Sequence, residues 1–160
     1  MKETPIIMHE QQFQRIKTVI ARLWTETAAR MVLLIHRDGQ PIAFHGDVTA
    51  VDTTSFSSLA AGNVAATSGM ARLIGENSFP ALSHEGERES IYICVVGRTL
   101  LVVVFDERST LGLVKLRVKR ASHEINTALE ELNQISENNR IQETALFAEI
   151  TDEDIDSLFS

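Results

Sequence analysis

The chain has little of what would fix a function at a glance. It holds one cysteine, Cys94, so no disulfide can form within it, and a reducing compartment such as the cytoplasm is the expected location. No basic stretch followed by an apolar one opens the chain, so no secretory leader is expected. The longest apolar runs, Met31 to Ile35 and Leu100 to Phe105, fall far short of the ~20 residues that span a bilayer. Three prolines and eight glycines in 160 residues, with 44% apolar and 23% charged side chains, exclude collagen-like repetition, coiled-coil monotony and disorder throughout. One globular domain is the expectation.

A basic excess is also missing. The formal net charge is −7, and it is unevenly placed. Residues 1–140 carry 16 acidic and 15 basic side chains, whereas residues 141–160 carry six acidic and none basic. A balanced body with an acidic tail argues against nucleic acid and anionic lipid as partners, because both require a cationic surface.

The usual catalytic constellations are absent as well. No G-x-x-x-x-G-K-[ST] loop occurs, and Gly62, Gly69 and Gly75 fall inside a helical pattern instead of after a strand. Cys94 sits between Ile93 and Val95 in an apolar run, where a thiol is a small core filler. His9, His36, His45, His84 and His123 show no metal-ligand spacing, so neither metal nor cofactor is expected. Glu130-Glu131 and Asp152-Glu153-Asp154 are adjacent, so on a helix they splay about 100° apart and cannot share one site.

What is present is strong periodicity. Phe13, Ile16, Val19, Ile20, Leu23 and Trp24 recur at helical spacing within Glu10 to Thr27, the first helix. Met31 to His36 and Pro41 to His45 flank Asp38-Gly39, a tight-turn pair, and form a hairpin. Asp52 to Ser55 offers N-cap side chains to a second helix ending near Gly75, with Phe56, Leu59, Asn63, Ala66, Met70, Leu73 and Ile74 able to line one face. Phe79 to Gly86 is a short strand suited by Pro80 to a sheet edge, and Ile91 to Val96 and Thr99 to Phe105 are two stronger strands. Leu111 to Ile135 keeps the helical period for a third helix. The expected fold class is α+β, a mainly antiparallel five-stranded sheet with three helices in the order α-β-β-α-β-β-β-α. The expected division is a domain over 1–136, a polar linker over 137–147 and an acidic amphipathic tail over 148–160.

Three segments stand out as contact surfaces. In the second helix 12 of the 17 residues from Ser55 to Ala71 are Ser, Thr, Ala or Gly, and Ala61, Ala65 and Gly69 fall on one stripe beside Ser68 and Arg72. Either these alanines pack the helix onto the sheet, or the stripe lets another backbone come close. Gly62 and Gly69 lean toward the second, since each costs about 1 kcal/mol against Ala in a helix interior. Lys115, Arg117, Lys119 and Arg120 make a basic segment on the third helix. In the tail, Ile155, Leu158 and Phe159 oppose Asp152, Glu153 and Asp156 around a helical turn that Thr151 can cap.

Taken together, the strings Asp52-Thr-Thr-Ser-Phe-Ser-Ser-Leu-Ala-Ala-Gly-Asn-Val-Ala-Ala66, Leu73-Ile-Gly-Glu-Asn77, His84-Glu-Gly86, Phe105-Asp106, Leu111-Gly-Leu-Val-Lys-Leu116 and Ile150-Thr-Asp-Glu-Asp-Ile-Asp-Ser-Leu-Phe159 resemble the Roadblock / dynein light chain superfamily, within it the bacterial MglB branch. The resemblance covers nearly the whole chain. It implies a Roadblock-like, cytoplasmic homodimer, concentrated at a cell pole and active in polarity and gliding motility. Two copies would bind one Ras-like small GTPase of the MglA type. They would accelerate GTP hydrolysis by repositioning the GTPase's own catalytic residues, so the chain would have no active site of its own. Helix 2 would supply docking residues Ala61, Ala65, Ser68, Gly69 and Arg72. From its own residues, the tail is expected to be disordered alone, too short to hold a helix in water, and to fold through Ile155, Leu158 and Phe159 on a second surface of the GTPase and modulate nucleotide affinity or exchange. A passive dimeric scaffold for polarity partners is the alternative.

Overall fold

The computed structural model describes the backbone of residues 3–159 and the side chains of residues 9–146. The elements are α1 (Glu3–Thr27), β1 (Met31–His36), β2 (Pro41–Gly46), α2 (Thr53–Leu73), β3 (Ala81–Glu85), β4 (Ser90–Val96), β5 (Thr99–Phe105) and α3 (Leu111–Phe159). Their order and type follow the expectation from periodicity.

The five strands form one sheet in the order β2-β1-β5-β4-β3. Every neighbouring pair is antiparallel. The two central strands are apolar at every position of Met31 to Ile35 and Leu100 to Phe105 because both faces are covered. Val32, Leu34, Leu101, Val103 and Phe105 point to the side packed by α1 and α3, with Ile16, Ile20, Val114, Val118 and Ile125. Met31, Leu33, Ile35, Leu100, Val102 and Val104 point to the side packed by Ala60, Ala61 and Val64 of α2. Alternation with period two thus divides a single run into two cores.

Two glycines are needed for their backbone. Gly39 closes the β1–β2 turn at φ +100°, and Gly46 at φ +108° lies where a Cβ would come within 2.5 Å of the Arg30 carbonyl oxygen and 2.6 Å of Trp24 Nε1. Arg30 is held in turn by Glu89, at 2.5 Å, and by Asp47, at 3.6 Å, which ties the end of β2 to the β3–β4 turn.

The third helix departs from expectation. In place of a helix to Ile135, a polar linker and a separate tail, α3 runs unbroken from Leu111 to Phe159 over 49 residues. After Gly112 it meets neither glycine nor proline, so nothing in the chain stops it. The loss of apolar period near Ser136 marks the end of burial, not the end of helix. Up to Glu131 the helix packs along α1, where Gln12 donates to the Glu131 carboxylate at 2.8 Å and Arg22 pairs with Glu124. Residues 140–146 are exposed on every side and are held by local contacts such as Arg140 with Glu137 at 3.3 Å. At the other terminus α1 starts at Glu3, with Pro5 in the first turn, where a missing N–H leaves no helical bond unmade.

Candidate functional site

The α2 helix lies on the sheet with its two ends well fixed. Asp52 caps the start, accepting from the Ser55 amide at 3.2 Å and the Ser55 hydroxyl at 2.7 Å. Those two bonds hold the Asp52 carboxyl below its ordinary range. At the other end the Glu76 amide donates to the Ala71 carbonyl at 2.9 Å and the Gly75 amide to the Arg72 carbonyl at 3.2 Å, with Gly75 at φ +84°. This is a Schellman ending.

The face presented to the sheet is the small one. Ser57, Ala60, Ala61, Val64 and Ala71 are the buried residues of α2. Bulky side chains there would lift the helix from the β-branched surface, so the small residues set its close seat. This corrects one expectation: Ala61, at 8% exposure, packs in the core and is not part of an open stripe. The apolar row that can line one face is the outward one: Leu59 is 74% exposed, Met70 62% and Leu73 87%, with Ile74 beyond them. Periodicity shows that an apolar row exists, but not which face of the helix meets the sheet.

Two contacts orient the helix. On one flank Asn63 meets His84 of β3, with Oδ1 and Nε2 3.3 Å apart. On the other, Ser58 and Ala61 lie against the Gly39 turn. Leu59 and Met70 therefore lie outward on the β3 side and Leu73 points straight outward, and an apolar groove of about 310 Å³ runs between Phe56, Leu59, Asn63, His84 and Ile91. The remaining small residues, Gly62, Ala65 and Gly69, lie outward on the Ser58 flank with Arg72 beside them. Ala65 and Arg72 are exposed, and Ser68 and Gly69 are half-buried. Nothing lies within 4 Å of a Cβ built on Gly62 or Gly69, so neither glycine is required by packing within the protomer.

The tail residues Ile155, Leu158 and Phe159 lie outside the described side chains. Among the described residues no group of three His, Cys, Asp or Glu side chains is placed to hold a metal. No helix there is long and apolar enough to cross a membrane. Cys94 Sγ lies 3.6 Å from the Ser122 hydroxyl and half-buried between β4 and α3. Arg108 is engaged by Asp106 at 3.1 Å, which raises the guanidinium's affinity for its proton and lowers that of the carboxyl.

A family model described as the Roadblock/LC7 domain matches residues 15–105. Among solved structures, Myxococcus xanthus MglB superposes with a TM-score of 0.73 at 49% identity, covering 75% of this chain and 91% of that one. The gliding protein MglB of Thermus thermophilus gives 0.71 at 40% identity, covering 75% of this chain and 92% of that one. An MglB in a tetrameric arrangement gives 0.71 at 38% identity, covering 76% and 92%. No curated protein sequence matches significantly.

Proposed function

The chain belongs to the Roadblock/LC7 family, and from that premise we propose that it works as a homodimer that binds a Ras-like small GTPase of the MglA type and accelerates its GTP hydrolysis. The observation that carries this reading is the outer surface of α2, which offers two distinct faces on one helix. The exposed row Leu59, Met70 and Leu73 recurs at the spacing of a helix–helix seam, and its Leu59 end lines the groove toward β3, an edge strand of the sheet. A second copy related by a two-fold axis would cover the row and pair the edge. The small stripe Ala65, Ser68 and Gly69, with Arg72, lies on the other flank and would let the GTPase backbone come close.

The dimer then acts by favouring the hydrolysis-competent arrangement of the GTPase, which supplies its own catalytic residues. The acidic end of α3, through Ile155, Leu158 and Phe159, engages a second GTPase surface and alters nucleotide affinity or exchange. GTP turnover by the cognate GTPase, measured with and without this protein, is the test. Acceleration that saturates at two chains per GTPase is expected. Binding with unchanged turnover would sink the activating role and leave a scaffold.

A further inference from the structure

The basic segment of α3 has no part in the α2 reading, and it lies on the opposite side of the sheet. From Arg108 to His123 there are five Lys and Arg side chains and no carboxylate. Arg108 and Arg117 have acidic neighbours, at 3.1 Å to Asp106 and 3.9 Å to Glu26. Lys115, Lys119 and Arg120 are exposed and form no ion pair among the described residues. Between them Leu116 stands 64% exposed on the outer face of the helix. An apolar anchor ringed by three cations fits an acidic, apolar helix end.

The same helix carries such an end. Residues 141–160 hold six carboxylates and no cation, with Leu158 and Phe159 near the close. Neither block sits where a helix dipole favours it: the first turn of α3 has no acidic residue and the last has no basic one. Lys119 and Asp154 are about 50 Å apart along an unbroken helix, so one chain cannot satisfy both blocks itself.

We propose that the acidic end of α3 from a second copy docks on the Lys115, Leu116, Lys119 and Arg120 face, and that the contact is reciprocal. In an antiparallel pair of α3 helices centred near Ser136, Lys119 comes level with Asp154, Arg120 with Glu153, Leu116 with Ser157 and Lys115 with Leu158. One register thus serves the charges and brings the apolar anchor within one residue of Leu158. A two-fold axis repeats the contact, so the pairing closes. It joins dimers formed through α2 into larger assemblies and occupies the acidic end while it lasts. The inference goes beyond the GTPase reading and rests on it only through the α2 dimer: without that dimer the same pairing reads as two chains at low salt that fall to one at high salt or on charge reversal.

Light scattering on the full chain alone, with no GTPase present, tests it. At about 50 mM NaCl the mass should exceed that of two chains, and at about 500 mM, where screening shortens the reach of the charges to a few Å, association should weaken at least ~10-fold. Lys119→Glu with Arg120→Glu should return the low-salt mass to two chains, and so should reversal of the acidic end by Glu153→Lys with Asp154→Lys. All four changes in one chain should restore the larger mass. A mass indifferent to salt and to both reversals, or a four-fold variant that stays at two chains, overturns the proposal.

Discussion

Two glycines predict opposite outcomes for the same substitution. Gly46→Ala forces a Cβ against the Arg30 carbonyl and Trp24 Nε1 at a positive φ, so it should destabilise the fold by roughly 2–4 kcal/mol in urea unfolding. Gly69 has open space where its Cβ would be, and Gly69→Ala should stabilise the isolated chain by about 0.5–1 kcal/mol. If the GTPase docks on the stripe, the same variant binds it more weakly while being the more stable protein. Equal or tighter GTPase binding would argue that nothing approaches Gly69. The arginines carry a second expectation at this scale. Arg108 is tied to Asp106, and activation by repositioning needs no cation in the partner's active site. Changing Arg72, Arg88, Arg98 or Arg108 singly to Ala should leave maximal turnover within about tenfold. A loss of ~10³ or more with binding intact would instead identify an arginine finger.

Among the elements, α2 and the α1–α3 pair have different tasks. Ala65→Arg or Gly69→Arg should abolish GTPase binding, because a long charged side chain must be buried or the backbones driven apart, at a cost of several kcal/mol. At about 500 mM NaCl, where the α3 pairing is weakened, Leu59→Glu with Leu73→Glu should instead yield a single-chain mass in light scattering, since both side chains face outward and the protomer core does not need them. The α1–α3 contact predicts a pH dependence. Gln12, and then Arg15, hold the Glu131 carboxyl below its ordinary value. A depressed value means that the stabilisation is complete above the unfolded carboxylate range near pH ~4 and is lost as pH falls through the lower folded value. Glu131→Gln should therefore be less stable at neutral pH and lose less in urea midpoint on acidification below about pH 4. These elements are largely legible in the chain: the turn at Asp38-Gly39, the doubly buried runs of β1 and β5, and the helical periods all declare themselves. The facing of α2 does not, because its small row and its large row have the same period, and only the sheet decides which is buried. Pattern alone therefore groups Ala61 with the stripe and leaves open which row meets the sheet. The extent of α3 is hidden for a related reason. Apolar period reports burial, and a helix without Gly or Pro can outlast the surface that buries it.

For the whole molecule, the consequence of an unbroken α3 is geometric. A free tail on a flexible linker samples a wide volume around its body, whereas a helical extension from Ser136 places the acidic end about 35 Å from the body in a defined direction. If that end engages the GTPase away from its nucleotide, it should change affinity or exchange more than the hydrolysis step, which belongs to the α2 surface. Ending the chain after Phe147 removes both the charges and Ile155, Leu158 and Phe159, while Leu158→Ala with Phe159→Ala removes only the terminal apolar anchors. Both variants should keep the dimer and retain activation at saturating concentration, but bind the GTPase more weakly and alter nucleotide release. A test of direction is available as well: inserting Gly-Ser-Gly after Ile135 should break the helix and restore a flexible tether without removing any contact residue. With a directed extension, that insertion weakens GTPase binding toward the level of the truncated chain. With a tail that acts only through its local concentration, the insertion leaves binding nearly unchanged, and the helical strut has no role in recognition.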